Sequence, residues 1–215
     1  MTYFLDHLSE VLSRTGQHIY LAGVPLVVGL LVALPLGWLA RRFPALYAPF
    51  TAGFGLLYTI PSLALFVLLP GILGTKILSS INVVVALSLY TVALLVRTVA
   101  DGLGAVPDST KQAATAMGFG GGKRFFAVEL PLAVPVISAG LRVAAVSNVS
   151  IVSVATILGV PQLGLFFSDG FNRFYYTPLV IGIVACIVLA LLFDVVIVGA
   201  TRLMTPWLRA TGGRA

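Results

Sequence analysis

The side chains able to break bonds or bind metals are few in this sequence, and they do not converge. The chain has seven acidic residues, two histidines and one cysteine, Cys186, which lies inside an apolar run and has no second cysteine to pair with. His7 and His18 stand far from any other candidate metal ligand, and we expect both at an interface or on the surface. The segment 118–123 is glycine-rich but lacks the G-x-x-x-x-G-K-[ST] spacing that cradles phosphates. The sequence therefore predicts no enzyme, no bound cofactor and no ATP hydrolysis by this chain.

Four charged residues lie within or beside long apolar runs, where an unpaired charge is costly. They are Arg97, Asp101, Arg142 and Asp194. Arg97 and Asp101 are four residues apart and can pair along a helix, and Arg142 is the candidate partner of Asp194. We predict that the four form one charge cluster, which ties the helices to a cytoplasmic loop. The alternative for both arginines is that they extend to lipid headgroups.

Small polar side chains interrupt the fourth apolar run. Ser147, Ser150 and Val154 fall on one face of a helix, with Asn148 and Ile151 beside them. Polar groups are costly in a bilayer, so we predict that they line a translocation path. The residues chosen are Ser147, Asn148, Ser150 and Ser153. The alternative is helix–helix packing, in which small hydroxyl residues are common.

The elements that carry these residues are long apolar segments. Hydrophobic residues make up 59% of the chain and charged residues only 9%, against about 25% in a soluble domain, which indicates an integral membrane protein. The apolar segments are 19–40, 50–73, 82–97, 132–158 and 177–201. We predict an all-α fold of about five transmembrane helices. Pro25 and Pro35 are expected to kink the first, and Pro61 and Pro70 to break the second.

Lys and Arg are distributed unequally between the two sets of connections. Eight lie in one set: Arg41, Arg42, Lys111, Lys123, Arg124, Arg202, Arg209 and Arg214. Three lie in the other: Arg14, Lys76 and Arg173. The positive-inside rule puts the richer set in the cytoplasm, with the N-terminus outside and the C-terminus inside. Because this topology accounts for the basic residues, the net charge of +6 does not indicate nucleic-acid binding.

The same topology predicts how the chain is divided. We expect residues 1–18 to form an external segment, with a short amphipathic helix on the membrane surface. Residues 19–205 form a single transmembrane domain, which contains a cytoplasmic loop over 101–131. Residues 206–215 form a cytoplasmic tail.

The longest polar stretch, 106–135, begins with a short predicted helix. Ser109 followed three residues later by Gln112 is a capping-box pattern. The segment 111–117 favours helix because it is rich in alanine. Gly118 can adopt the left-handed conformation that ends a helix.

A second short helix is predicted after a flexible bend. Glycines at 120–122 form the bend, the segment 123–130 forms the helix, and Pro131 suits the first turn of the membrane helix that follows. The small side chains of Ala113 and Ala114 leave a face that a partner can approach closely. The prediction is therefore a docking loop built as helix, glycine turn, helix.

This stretch resembles the coupling-loop signature of ABC importer permeases, E-A-A-x-x-x-G-x9-I-x-L-P. The matching segments are Gln112-Ala113-Ala114, Gly118 and, nine residues later, Val128-Glu129-Leu130-Pro131. Gln112 stands where the family has Glu, which keeps the capping geometry but drops the charge, and Val128 stands where it has Ile. The resemblance implies a set of ATPase-coupling residues: Gln112, Ala113, Ala114, Gly118, Lys123, Glu129, Leu130 and Pro131.

Membership of that family implies partners as well. Two permease subunits, identical or paralogous, form the path in a prokaryotic inner or plasma membrane. Two cytoplasmic ATP-binding subunits hydrolyse ATP, and an external binding protein delivers the solute. The type I importer permease fold is expected.

A second segment, Tyr58-Thr59-Ile60-Pro61-Ser62-Leu63-Ala64, resembles the permeases for osmoprotectants. That resemblance implies glycine betaine, choline, carnitine or proline betaine as solute. Quaternary ammonium groups favour aromatic faces, so Tyr58, Ser62 and Tyr90 join the predicted path, with ordinary packing as the alternative for both tyrosines. A methionine permease of the same superfamily is the first alternative function, and a secondary carrier that works without ATP is the second.

The external connection 159–176 is rich in aromatic residues. Aromatic side chains favour the membrane–water boundary, which is one interpretation of this segment. The other is that Phe166, Phe167 and Phe171 form an external gate or a surface for the binding protein.

Overall fold

The computed structural model describes residues 6–210, and this part of the chain is entirely helical apart from its connections. The long helices are α1 (Leu8–Arg42), α2 (Pro44–Thr59), α3 (Ser62–Leu73), α4 (Ser80–Gly104), α7 (Leu130–Val154) and α9 (Tyr176–Met204). The shorter ones are α5 (Asp108–Ala116), α6 (Gly121–Arg124), α8 (Leu165–Asn172) and α10 (Pro206–Ala210). A π-helical turn, Phe125–Glu129, joins α6 to α7, and a 3-10 turn, Ala155–Leu158, follows α7.

Four stretches are long and apolar enough to cross a membrane among the residues described: α1, α4, the continuous helix Gly121–Leu158, and α9. Helices α2 and α3 also pass that test as a pair, but their axes meet at 98°. Counted as one broken span, they bring the total to five. This architecture confirms the predicted all-α membrane fold of about five spans.

The first helix is longer than the sequence suggested. It runs unbroken from Leu8 to Arg42, so no boundary falls between residues 18 and 19. An ion pair between Arg14 and Glu10, four residues earlier, stabilises the polar start of the helix. The Arg14 guanidinium also lies 5.2 Å from the ring centre of Phe166, which belongs to another helix. The described part of the predicted external segment is therefore packed against the protein, and residues 1–5 lie outside the described residues.

His18 is buried, and its prediction as an interfacial or surface residue was wrong. Its Nε2 lies 3.0 Å from the carbonyl oxygen of Val149 on α7. Near it, the Asn148 amide donates to the carbonyl of Ala22 on α1 at 3.3 Å and to the Thr91 hydroxyl on α4 at 3.0 Å. These bonds join α1, α4 and α7 inside an apolar bundle, where an unmet polar group would be costly.

Helix α4 lies at the centre of the bundle and packs closely on α1. A Cβ at Gly29 would lie 2.4 Å from the Thr91 side chain, and one at Gly37 would lie 2.6 Å from Val99. Both contacts are too short for any side chain, so the two glycines permit the close approach of the backbones. Two apolar clusters along α4 and its neighbours form the core, one towards each end of the bundle.

The second predicted span is broken at the expected proline. Ile60 is extended, with φ −64° and ψ 130°, as steric conflict with the following Pro61 requires, and α3 starts at Ser62. The Tyr90 hydroxyl on α4 donates to the carbonyl of Ile60, which the break leaves without a helical partner. Pro70 does not break the span: it lies inside α3, which ends at Gly74 with φ +64°.

Candidate functional site

Helix α5 of the docking loop starts earlier than the capping box predicted. Pro107 precedes its first residue, and the N–H groups of Thr110 and Lys111 bond to the Pro107 carbonyl at 3.1 and 3.3 Å. Ser109 therefore lies within the helix, and no side chain caps its start. Asp108 supplies the negative charge that a helix start favours, and the Lys111 ammonium is 3.0 Å from its carboxylate. That hydrogen bond lowers the pKa of the Asp108 carboxyl below its ordinary value.

The end of α5 agrees with the prediction for Gly118. Its φ is +85°, a conformation that residues with a side chain rarely adopt, and the N–H of Phe119 bonds to the carbonyl of Ala114 at 3.1 Å. The bend lies earlier than the predicted residues 120–122, because Gly121 and Gly122 already belong to α6. The turn between the two helices therefore consists of residues 117–120.

The predicted second helix is not separate from the membrane helix. Helix α6, the π-helical turn and α7 form one continuous helix, Gly121–Leu158, which we call the α6–α7 rod. In the turn, the N–H of Leu130 bonds to the carbonyl of Phe125, five residues back. Pro131 has no N–H with which to continue the helical hydrogen bonds. The π-helical turn just before it, which is wider than an α-helical turn, accommodates the proline without ending the helix.

Arg124 connects α5 to this rod. Its Nε lies 2.7 Å from the Glu129 carboxylate, and its Nη1 lies 3.0 Å from the Thr115 hydroxyl on α5. Glu129 is thus engaged within the chain. Lys123 is exposed, with its ammonium 4.7 Å from the Phe119 ring centre.

The predicted coupling residues divide into two groups by exposure. Gln112, Ala113, Gly118 and Lys123 are exposed, and Glu129, Leu130 and Pro131 are half-buried. Ala114 is only 1% exposed, so its prediction as part of a face open to a partner was wrong: it packs inward. Met117 is 70% exposed at the end of α5. The sequence analysis missed it, although a long apolar side chain in a polar loop was a usable signal.

The predicted path residues on α7 also divide. Ser150 is exposed and Ser147 and Ser153 are half-buried. Ser150 and Ser153 line a groove between α7 and α9, together with Phe167 and Cys186. Asn148 is 2% exposed and bonded to α1 and α4, so its contacts agree with the alternative of helix packing.

The two tyrosines have different environments. Their rings meet edge to face with centres 5.6 Å apart. Tyr90 is 3% exposed and closes the break before α3, which is the packing alternative. Tyr58 is 40% exposed, and Ser62 is half-buried at the start of α3. Of this group, only Tyr58 and Ser62 have side chains that are not buried.

The four charged residues form two pairs rather than one cluster. Arg142 on α7 makes two hydrogen bonds to the Asp194 carboxylate on α9, the longer of them 3.0 Å. Arg97 lies 3.5 Å from Asp101 along α4, and the Tyr47 hydroxyl on α2 donates to Asp101 at 2.7 Å. No ion pair between described residues joins the two pairs. The Arg142–Asp194 pair joins α7 to α9, whereas the Arg97–Asp101 pair lies within α4 and is joined to α2 by Tyr47, which gave no signal in the sequence.

The aromatic residues of the external connection are not one surface. Phe166 is fully buried beneath Arg14, so it cannot belong to an exposed gate. Phe167 is half-buried in the groove beside α9, and Phe171 is 75% exposed at the end of α8. The predicted group of three is therefore split between the core and the surface.

Comparison with known proteins gives a match over most of the chain. Residues 26–210 match the family model described as "Binding-protein-dependent transport system inner membrane component". The osmoprotectant import permease protein OsmW of Salmonella typhimurium is 30% identical over 207 residues, covering 95% of this chain and 96% of that protein. The glycine betaine/carnitine/choline transport system permease protein OpuCB of Bacillus subtilis is 28% identical, covering 96% of this chain and 94% of that one.

Solved structures share the fold. A structure of the MetNI methionine ABC transporter in an inward-facing conformation superposes with a TM-score of 0.78 at 21% identity, covering 93% of this chain and 98% of that chain. An amino acid ABC transporter solved with histidines gives a TM-score of 0.71 at 17% identity, covering 94% and 97%. At these identities the likeness concerns the fold alone.

Proposed function

Because the chain belongs to the family of binding-protein-dependent transport system inner membrane components, it is the permease component of an ABC importer, and we propose that its solute is an osmoprotectant. The observation that carries the substrate class is the full-length similarity to permeases named for osmoprotectants, glycine betaine, carnitine and choline. The segment 58–64 supports the same class. Methionine is the less supported alternative, because the methionine transporter shares only the fold.

The assembly we propose contains this chain, a second permease subunit, two cytoplasmic ATP-binding subunits and an external binding protein. The N-terminus faces outward, and the docking loop and the C-terminus face the cytoplasm. The distribution of Lys and Arg supports this orientation. ATP is hydrolysed by the partner subunits.

The docking loop transmits the ATPase cycle through α5. Its exposed face carries Gln112 and Ala113, and Met117 extends from its end. A small side chain at 113 allows close approach of a partner, and an exposed Met supplies an adaptable apolar contact. When the ATPase subunits close, α5 moves with them.

The movement reaches the membrane through the α6–α7 rod. Arg124 bonds to Thr115 and to Glu129, so displacement of α5 pulls on the rod. Because the rod is one continuous helix, its far part moves too, and this part carries Ser147, Ser150 and Ser153. Two states of the path, one open to each side, are thereby biased by nucleotide bound elsewhere, which defines an allosteric coupling.

The solute path is lined by polar groups that remain accessible. Ser150 and Ser153 lie in the groove beside α9, and Tyr58 presents its ring near the break between α2 and α3. An exposed aromatic ring suits a small quaternary ammonium solute, which needs weak contacts in transit. Asn148 and Tyr90 are buried behind these residues and hold the helices of the path together through hydrogen bonds.

The test is transport by the assembled complex. The importer is purified with its partner subunits and reconstituted in vesicles, and ATP-dependent uptake of radiolabelled glycine betaine, choline and methionine is compared. We expect uptake of glycine betaine or choline, and none of methionine. Uptake of methionine alone would assign the other substrate class, and uptake that needs no ATP would refute the importer mechanism.

A further inference from the structure

An apolar groove lies between α1 and the start of the α6–α7 rod. We call it the Trp38 groove. Its walls are Leu34, Pro35 and Trp38 on one side and Phe125, Phe126 and Leu130 on the other. The Trp38 ring meets the edge of Phe125 with centres 6.2 Å apart, while Phe126 is 71% exposed. The groove is therefore an open slot with aromatic walls rather than a closed cavity.

Two glycines keep one end of this slot wide. Gly121 and Gly122 also line it, and a Cβ built at either position would meet no atom within 4 Å. The space beside them is thus empty, and a side chain at Gly122 would enter it without a clash. A larger residue at position 122 should therefore narrow the groove, and this substitution can be tested directly.

The depth of the groove decides which kind of molecule can reach it. Leu34 and Pro35 belong to the apolar part of α1, and Leu130 belongs to the membrane-crossing rod. An occupant between them lies beside hydrocarbon, and the polar face of α5 that suits a soluble partner is elsewhere in the loop. A hydrocarbon chain fits such a slot, because it restores the van der Waals contacts that the apolar walls would lack if the slot stayed empty.

Positive charge near the groove favours a lipid with an anionic headgroup. Arg42 comes four residues after Trp38 on α1, so it lies one turn further along the same face. It is exposed and forms no ion pair with any described residue, and Lys123 follows Gly122 directly. The planar guanidinium binds phosphate oxygens in pairs. An apolar slot with an arginine one helical turn beyond it, which forms no ion pair with the described residues, is complementary to an acyl chain with a phosphate at its end.

We propose that the Trp38 groove binds one acyl chain of an anionic phospholipid of the inner leaflet, such as phosphatidylglycerol, with Arg42 holding its headgroup. Bound there, the lipid packs α1 against the part of the rod that carries the docking loop. The site therefore makes the mechanics of the loop sensitive to the lipid composition of the membrane. It does not depend on which solute is carried.

Trp38 reports directly on this groove. The chain has two tryptophans, and Trp207→Phe leaves Trp38 as the sole tryptophan, whose emission is excited selectively at wavelengths that tyrosine does not absorb. The full-length chain is reconstituted in vesicles of unlabelled phosphatidylcholine, and brominated phosphatidylglycerol or brominated phosphatidylcholine is added at equal mole fraction. Bromine quenches tryptophan at contact. We expect half-maximal quenching at an about fivefold lower mole fraction of the anionic lipid, the factor for one arginine at the membrane surface.

Three further variants separate the contributions to binding. Arg42→Gln removes the preference for the anionic lipid, whereas Arg42→Lys keeps most of it because the charge stays. Lys76→Gln removes an equal charge far from the groove and leaves the preference unchanged. Gly122→Leu fills the slot and weakens quenching by both lipids.

Two results would overturn the proposal. Equal quenching by both brominated lipids in the Trp207→Phe protein would mean that Trp38 meets only bulk lipid. Absence of quenching by either would mean that protein, a second permease subunit or another segment, covers the groove. Neither result bears on solute uptake, so the proposed function is tested separately.

Discussion

Ala113 and Ala114 are neighbours that face opposite ways. Ala113 is exposed on α5, whereas Ala114 is buried against the chain itself. The family signature treats the two alanines as one motif, but the packing gives them separate tasks. We propose that Ala113 admits a partner, while Ala114 packs the short helix against the permease.

Substitution by tryptophan separates these tasks. Ala113→Trp obstructs the partner, so we expect ATP-driven uptake to fall about tenfold, equivalent to 1.4 kcal/mol of docking energy, with a normal amount of protein in the membrane. Ala114→Trp overpacks the site at a cost of roughly 1–3 kcal/mol, which lowers the melting temperature and the amount of protein. Uptake, immunoblotting and thermal unfolding of both variants provide the measurements. Normal uptake by Ala113→Trp would refute the docking role of this face.

Cysteine labelling distinguishes the path from the packing on α7. In a Cys186→Ser background, we expect Ser150→Cys to react with a water-soluble thiol reagent in at least one nucleotide state of the assembled importer. Asn148→Cys, buried between α1 and α4, stays unreactive in all states. The measurement is the labelled fraction with no nucleotide, with ATP and after hydrolysis. If Ser150→Cys is inert in every state, the path does not run along this face.

Helical periodicity in the sequence correctly placed the polar side chains of α7 on one membrane helix, but it did not distinguish their roles. Ser147, Asn148 and Ser150 look alike in a sequence, because each is a small polar residue in an apolar run. Asn148 is a packing residue only because Thr91 and the carbonyl of Ala22, 57 and 126 residues away, meet it there. His18 was misassigned for the same reason, since its partner Val149 is 131 residues away. Contacts between distant segments have no local signature.

At the scale of elements, Arg124 bonds the start of the long rod to the short α5. Its guanidinium is shared between Thr115 on α5 and Glu129 in the π-helical turn. The hydrogen bond to Thr115 joins the two elements, and the ion pair with Glu129, which lies within the rod, holds the guanidinium in place. Both side chains of the ion pair are largely shielded, so the bond is less weakened by solvent than a surface pair would be.

We predict that breaking the bond between Arg124 and Thr115 uncouples ATP hydrolysis from uptake. Arg124→Gln should lower the ratio of solute transported to ATP hydrolysed, because α5 can then move without the rod, and Glu129→Gln should lower it less, because it only frees the guanidinium that makes this bond. The double variant should be no worse than Arg124→Gln alone, since Glu129 acts through Arg124. Lys111→Gln, also in the loop, leaves Arg124 in place and serves as the control. Additive losses in the double variant would show that the two residues act independently.

The loop was predictable where backbone chemistry dictates the fold. Gly118 could be assigned to a left-handed helix end because few other residues adopt that conformation. The capping box failed because Pro107, one residue before α5, fixes the chain direction and places Ser109 inside the helix. Gly121 and Gly122 were expected to bend, but glycine also permits helix, and attachment to the rod decides between the two.

At the scale of the whole molecule, one ion pair among the described residues joins two of the spans. Arg142 and Asp194 join α7 to α9 through two hydrogen bonds. The pair lies at the bundle surface, but the charges are costly to leave unpaired beside lipid. We therefore regard it as a clamp between the rod and the last span.

A charge exchange tests this clamp. Asp194→Asn and Arg142→Gln should each lower the melting temperature of the purified protein, whereas the exchanged variant Arg142→Asp with Asp194→Arg recovers part of the loss. Thermal unfolding in detergent measures the effect, and Arg173→Gln, an exposed arginine in the external connection, provides the control. If the exchanged variant is less stable than both single variants, geometry rather than charge pairing fixes these helices.

Orientation can be measured with two single cysteines. In the Cys186→Ser background, Lys76→Cys should react with an impermeant thiol reagent added outside intact cells, and Lys123→Cys should react only after the membrane is opened. Both positions are exposed in the structure. The prediction follows from the excess of Lys and Arg on the docking-loop side. The reverse pattern would place the docking loop outside the cell and remove the basis for its contact with an ATPase.

The number of spans and the all-helical architecture were predictable from the sequence, because a segment that crosses the bilayer must be long, apolar and helical. Length, apolar composition and the break at Pro61 are properties of single segments. The sharp angle between α2 and α3 was not predictable, because it depends on Tyr90, a residue of another helix, supplying a hydroxyl to the free carbonyl of Ile60.

The π-helical turn Phe125–Glu129 also carries a geometric consequence for the rod. A π turn stores surplus length, because its hydrogen bonds reach five residues back rather than four. Tightening it to ordinary helical bonding would rotate everything before it by about 100° about the rod axis and shift it by roughly 1.5 Å. Such a screw motion would rotate α6 and the docking loop attached to it together, beside Trp38. The helix that crosses the membrane would not bend.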